Sequence, residues 1–290
     1  MLKIERILCP VDFSEFSARA YDYAHSLARH YGATLLVFHV VRSIVIDPTF
    51  LATTMIDQVY SQQAADAKAQ IAKLAEKQAG EAVRTQVTVQ MGLEADSILS
   101  FAKGHDANLI VMGTHGRRGL DRLLMGSTTE AILRKAHCPV LAVREPARNF
   151  VNPESPDDPV QLRKILCCVD FSENSPRALE YAFSLGLQYG AEITLLHILE
   201  DAKGGPDEGA RALESIERLV PDEARTWASV VPKVRSGKPY EEIIEHAAEA
   251  ETDLIVMGVR GRNVVDLAVF GSTTHRVIRL GPCPVLVVRA

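Results

Sequence analysis

Short runs of apolar residues alternate along the chain with longer stretches in which apolar positions recur every three or four residues. The runs predict strands at 4–11, 34–40, 84–90, 108–112 and 139–143, and the longer stretches predict helices near 15–31, 57–79, 94–103 and 127–136. The same series returns with strands at 164–169, 192–198, 229–235, 253–257 and 284–288. Alternating strands and helices imply an α/β fold, a parallel doubly wound sheet of Rossmann-like type with helices on both faces. Two such five-stranded repeats are expected, with ligands beyond the C-terminal ends of the strands.

The two halves match in wording as well as in pattern. "RILCPVDFSEFSARAYDYA" (6–24) faces "KILCCVDFSENSPRALEYA" (164–182), and "GATLLVFHVV" (32–41) faces "GAEITLLHIL" (190–199). From Leu109 to Arg144 the match to Leu254–Arg289 needs no gap. Between the halves, "EPARNFVNPESPDDPVQL" contains four prolines and reads as a semi-extended linker. The expected division is therefore 1–146, a linker at 147–161, and 162–290.

Composition narrows the class without changing this picture. The chain has 290 residues, 47% hydrophobic and 24% charged, with a formal net charge of −5. No global basic field exists to draw it to nucleic acid or anionic lipid. No apolar run approaches the ~20 residues that cross a bilayer, so no membrane insertion and a cytoplasmic location are expected. Four of the five cysteines, Cys9, Cys138, Cys167 and Cys283, lie in or beside apolar strand-like runs and read as buried, reduced thiols.

Candidate chemistry centres on a glycine framework present twice: Gly113, Gly116 and Gly126-Ser127 in "GTHGRRGLDRLLMGSTT", and Gly258, Gly261 and Gly271-Ser272 in "GVRGRNVVDLAVFGSTT". Each copy begins where a buried strand ends and closes on Ser-Thr-Thr at a helix start. Glycines there allow a turn and close backbone approach, and a helix N-terminus with free N–H groups suits a phosphate. Ser127 and Glu130 form a capping-box pattern. The glycines also read as turn and cap residues alone, and both readings stand at this point.

Asp12 and Asp170 follow the first strand of each half, placed either to contact a ligand or to cap the next helix. Arg117 and Arg262 follow the second glycine and suit phosphate oxygens, or water. His115 faces Arg260 in the alignment, which points to charge rather than proton transfer. His39 and His197 correspond and read as structural. There is no Gly-x4-Gly-Lys-Ser/Thr loop, no His-Glu-x2-His, no close Cys/His cluster and no Gly-x-Ser-x-Gly, so P-loop, zinc and serine-hydrolase chemistry have no motif support.

With these motifs quoted, the chain resembles the universal stress protein family, in a tandem two-domain form of its ATP-binding branch. The resemblance implies that Asp12, Val40, Gly113, Gly116, Gly126, Ser127 and Thr128 hold adenine, ribose and phosphates in one site. It implies Asp170, Ile198, Gly258, Gly261, Gly271, Ser272 and Thr273 in a second. His115, Arg117, Arg260 and Arg262 join them as loop contacts. The implied ligand is ATP, or AMP or ADP, with Mg. In the second copy Val264, Asn263 and His275 replace Gly119, Arg118 and Glu130, which implies a weaker or differently selective site.

The last strands, "CPVLAVR" and "CPVLVVR", are expected to pair within the chain as an intramolecular pseudo-dimer, since open apolar edges invite aggregation. A homodimer of the whole chain is also allowed. The functional expectation is a nucleotide-dependent sensor or switch in stress response, read by an unidentified protein partner. The alternative is a slow ATPase or self-phosphorylating enzyme with Ser127, Thr128, Ser272 or Thr273 nearest the phosphates. No general base is evident beside those hydroxyls, which favours the sensor.

Overall fold

The computed structural model describes residues 3–42, 53–76, 83–115, 125–144, 148–152, 158–172, 175–200, 207–227, 229–259 and 271–289. The chain forms two compact units. The amino-terminal unit comprises Ile4–Ala136 and Val151–Pro159; the carboxy-terminal unit comprises Met1–Lys3, His137–Phe150 and Val160–Ala290.

In the amino-terminal unit the chain runs β1 (Arg6–Pro10), α1 (Glu15–Tyr31), β2 (Thr34–Arg42), α2 (Thr53–Glu76), β3 (Thr85–Gly92), α3 (Glu94–Gly104), β4 (Leu109–Gly113) and α4 (Ser127–Lys135). The sheet order is β3-β2-β1-β4 with every pairing parallel. The chain leaves β1 toward β2 on one side and returns from β3 to β4 on the other, so the strand order reverses beside β1. Ile7, Leu8, Leu35, Leu36, Phe38 and Ile110 on these strands are buried. Burying side chains of this size stabilises by roughly 1.5–3 kcal/mol each.

The carboxy-terminal unit contains β5 (Val140–Val143), β6 (Lys164–Cys168), α5 (Ser175–Tyr189), β7 (Glu192–Leu199), α6 (Asp207–Glu217), α7 (Ala224–Trp227), β8 (Val230–Ser236), α8 (Pro239–Glu249), β9 (Leu254–Val259), α9 (Ser272–Leu280) and β10 (Val285–Arg289). Its order is β5-β10-β9-β6-β7-β8. All pairs are parallel except β5 with β10, where Val140 faces Val287, Leu141 faces Leu286 and Ala142 faces Val285. The two closing strands thus pair within one chain, as their apolar sequences require. The fifth strand of the first repeat thus pairs with the last strand of the second.

Matching residues do matching structural work in the two repeats. Asn108 Oδ1 accepts from the backbone N–H of Glu5 (2.8 Å) and Arg6 (2.9 Å), and Asp253 Oδ2 accepts from Arg163 and Lys164 (both 2.9 Å). Each side chain satisfies the two donors at the entry to the first strand of its repeat. Gly32 (φ 62°) and Gly190 (φ 64°) both take the left-handed conformation that ends a helix, which glycine adopts without a Cβ clash.

The Pro-rich connection is tied down at both ends. Arg148 N–H donates to Pro282 O (2.7 Å), its guanidinium reaches Glu251 O (2.9 Å) and Oε1 (2.8 Å), and Gln161 N–H donates to Phe150 O (2.8 Å). Phe150, Val151 and Leu162 are buried. A few apolar residues inside a polar, proline-rich stretch supply these anchors.

One buried base is expected to make the carboxy-terminal unit acid-sensitive. His246 on α8 is buried, with Nδ1 at 3.3 Å from Lys233 Nζ. Arg235 sits nearby in a fan of ion pairs with Glu242, Glu245 and Glu249 at 2.7, 3.0 and 2.9 Å. Burial, then the charges of Lys233 and Arg235, hold the imidazole below its ordinary value, with Glu249 opposing. The unfolded chain therefore binds a proton first as pH falls through about 6.5, and stability present above that value is lost below it. In urea titrations at pH 7.5 and 5.5, His246→Gln is expected to show a shallower loss of stability than the wild type. Equal losses would remove His246 as the cause.

Candidate functional site

The site is built at the C-terminal ends of β1, β2 and β4 and at the start of α4. Beyond β1, Ser14 caps α1 by accepting from Ser17 N–H (3.2 Å). Asp12 Oδ1 accepts in turn from Ser14 Oγ (2.6 Å) and Ser14 N–H (3.1 Å). The aspartate thus orients the capping serine rather than capping the helix itself. In the other repeat Asp170 Oδ1 accepts from Ser172 N–H at 2.9 Å, and Asp170 is exposed. Each carboxylate stands at the reversal of strand order, where a doubly wound sheet opens to ligand.

Val40 and Ile198 lie near the ends of β2 and β7 and are half-buried. Just before them, His39 Nδ1 lies 2.7 Å from Val11 O and His197 Nδ1 lies 2.8 Å from Val169 O. A carbonyl only accepts, so Nδ1 carries the proton and donates in both rings. The histidines thereby join the ends of the first and second strands of each repeat.

The first glycine of the framework serves packing. Gly113 is the last residue of β4, and a Cβ there would stand 2.8 Å from Phe16 C and O and 2.9 Å from Phe16 Cβ. Among the described residues, only Gly32, Gly190 and Gly237 are glycines with positive φ. Gly113 is not among them, and its missing side chain lets the backbone of α1 approach the strand. His115 is buried, with Nδ1 2.8 Å from Thr114 Oγ1 and its ring 4.9 Å from that of Phe16.

The helix start is different. Gly126, not Ser127, is the cap of α4, and as a glycine it offers no side-chain cap bond. Glu130 carboxylate instead accepts from Arg134 at 2.5 Å, one turn along, so the capping box read from the sequence does not form. Gly126 N–H donates to Thr114 O (3.0 Å) and Thr129 Oγ1 donates to Gly113 O (3.0 Å), fixing the helix start against the end of β4. Ser127 is exposed, Thr128 half-buried and Thr129 buried.

The second repeat reproduces this. Gly258 lies in β9, Gly271 caps α9 without a side-chain bond, and Ser272, Thr273 and Thr274 are exposed, half-buried and buried. In general, first-turn N–H groups without intrahelical partners, at the positive end of a helix, can receive an anion. Gly271 has φ −52° and ψ 130°, open to any L residue. Among the described residues a Cβ there would meet only Thr274 Oγ1, at 3.8 Å.

Gly116, Arg117, Arg260, Gly261 and Arg262 lie outside the described residues. Burial pushes the thiols of Cys138 and Cys167 up to about 12 and raises those of Cys9, Cys168 and Cys283 as well, so none is a thiolate at neutral pH. Sequence reasoning missed Ser14, Ser17 and Thr129 as the side chains that lock strand ends to helix starts. The Asp-x-Ser spacing and the second Thr of Gly-Ser-Thr-Thr were the available signals.

Each repeat is a doubly wound α/β unit with a glycine-capped helix start at the end of its fourth strand. The model of the universal stress protein family matches residues 3–144 and 161–289, and the chain belongs to that family. It is 26% identical over 295 residues to a universal stress protein of Mycolicibacterium smegmatis, covering 98% of this chain and 96% of the relative. It is 32% identical over 146 residues to one from Methanocaldococcus jannaschii, covering 50% of this chain and 84% of the relative. Among solved structures, a universal stress protein from Archaeoglobus fulgidus is similar in fold, with TM-score 0.71, 24% identity and coverage of 98% of this chain and 96% of that one. No described helix is long and apolar enough to cross a membrane.

Proposed function

We propose that the chain binds adenine nucleotide, ATP first, at one site in each repeat, and acts in the cytoplasm as a nucleotide-dependent sensor or switch in stress response. The domains carrying these sites would be 1–146 and 162–290. The observation that carries the reading is Gly271: neither its backbone angles nor its described neighbours require glycine, yet it begins an uncapped helix, as Gly126 does. A phosphate seated on the first-turn N–H groups supplies the missing reason, because it needs the space that a side chain would fill.

Phosphates would lie against Ser127 and Thr128, or Ser272 and Thr273, and the base would extend toward Asp12 and Val40, or Asp170 and Ile198. Magnesium would arrive on the phosphate oxygens. Mass spectrometry of ligand released by denaturing the purified protein tests the reading. Intact ATP is expected; ADP would favour slow hydrolysis, and an empty protein that ignores added ATP would refute both.

A further inference from the structure

We infer that Phe13 and Phe171, each held against the histidine of the neighbouring strand, form the stacking surface for the nucleotide base. The inference rests on the nucleotide reading above and deepens it. Among the described residues, four other than glycine have positive φ, and they fall into two corresponding pairs: Asp106 (47°) with Glu251 (55°), and Phe13 (64°) with Phe171 (53°). The first pair follows the C-terminal ends of α3 and α8, where a left-handed residue is ordinary and polar side chains tolerate it. The second pair has no such setting. A bulky aromatic residue in this region is unfavourable, and both repeats keep it directly after the strand-end aspartate.

The conformation places each ring on a histidine. Phe13 and His39 have ring centroids 4.6 Å apart, and Phe171 and His197 are also 4.6 Å apart, tilted by 41° and 53°. The histidines are fixed by their Nδ1–H bonds to Val11 O and Val169 O, so each phenylalanine rests on a ring that cannot swing away. Core filling does not explain Phe171, which is 44% exposed, and Phe13 is half-buried. The rings also stand on the correct side of the site. The helix start that takes phosphate lies beyond β4, while Phe13 and His39 lie beyond β1 and β2, where the base end of the ligand would fall. An aromatic face is the group on which a base of any identity stacks.

Calorimetric titration of the full chain with ATP and with inorganic tripolyphosphate tests this. Phe13→Gly with Phe171→Gly removes both rings while placing glycine where the backbone favours it. Phe13→Leu with Phe171→Leu keeps an apolar contact with histidine and guards against a fold effect. Both pairs are expected to weaken ATP roughly tenfold, as loss of one base–aromatic stack does, and to leave tripolyphosphate unchanged. Unchanged ATP affinity in the variants, with the wild type binding, would overturn the stacking role alone. Equal weakening of both ligands would also overturn it, by making the rings a support of the frame. A wild type that binds tripolyphosphate but gains nothing from the base would refute the adenine assignment and this inference with it.

Discussion

Gly126→Asp with Gly271→Asp is expected to weaken ATP binding by more than about a hundredfold, some 2.7 kcal/mol per site, while the melting temperature holds or rises. The two effects have opposite signs because the residue serves two processes. Both glycines sit at helix cap positions with φ, ψ of −63°, 139° and −52°, 130°, open to any L residue, and neither helix start has a side-chain cap. Aspartate is a favoured cap and complements the helix dipole, so folding keeps or gains stability. The same carboxylate occupies the space of the phosphate and repels it, and like charges brought together at a binding site cost several kcal/mol. Calorimetry and thermal denaturation on the same sample separate the two. A loss of stability together with affinity would mean that the glycines serve the fold, and unchanged affinity would remove the anion site.

Gly113→Ala is expected to show the reverse order of effects. The added Cβ would stand 2.8 Å from the carbonyl carbon and oxygen of Phe16, backbone atoms at the first turn of α1 that cannot rotate aside. Overpacking of this kind costs about 2–3 kcal/mol, which lowers the melting temperature of a unit of this size by roughly 5–10 °C. Denaturation of the variant followed by far-ultraviolet circular dichroism reads the shift. A melting temperature within a degree of the wild type would show that α1 accommodates the methyl group, and the packing role of Gly113 would be wrong.

The contrast between Gly113 and Gly126 marks how far the sequence could be read. The alternation of apolar runs and amphipathic stretches located the strands of both halves and the helices of the first, since buried parallel strands and two-faced helices impose those periods on composition. Duplication located the repeats. Pairing of "CPVLAVR" with "CPVLVVR" was implied by the family resemblance together with their apolarity at an open edge, and Val140 does face Val287.

What the letters could not convey was which constraint each glycine answers. Nothing in "LIVMG" shows that Phe16, almost a hundred residues earlier, presses its backbone on the last strand residue. In the same way, Ser127 and Glu130 carry the spacing of a capping box, but Arg134 takes the carboxylate and the helix begins one residue sooner. The left-handed Phe13 and Phe171 were equally hidden, because sequence position fixes neither φ nor the ring that a side chain meets. Asp12 was legible as a strand-end carboxylate, yet its bond to the capping Ser14 decides how it is oriented.

The two repeats are alike in fold and differ in sequence before the last helix, with Val264 and Asn263 where the first has Gly119 and Arg118. Unequal affinities for one nucleotide are therefore expected. Calorimetric titration of the ligand-free chain with Mg-ATP measures stoichiometry and affinity together and tests the central claim most directly. Two equivalents per chain, bound with distinct affinities, are predicted, with Gly126→Asp removing the tighter event and Gly271→Asp the weaker. No heat of binding from a folded chain, or one event that survives both substitutions, would contradict the account.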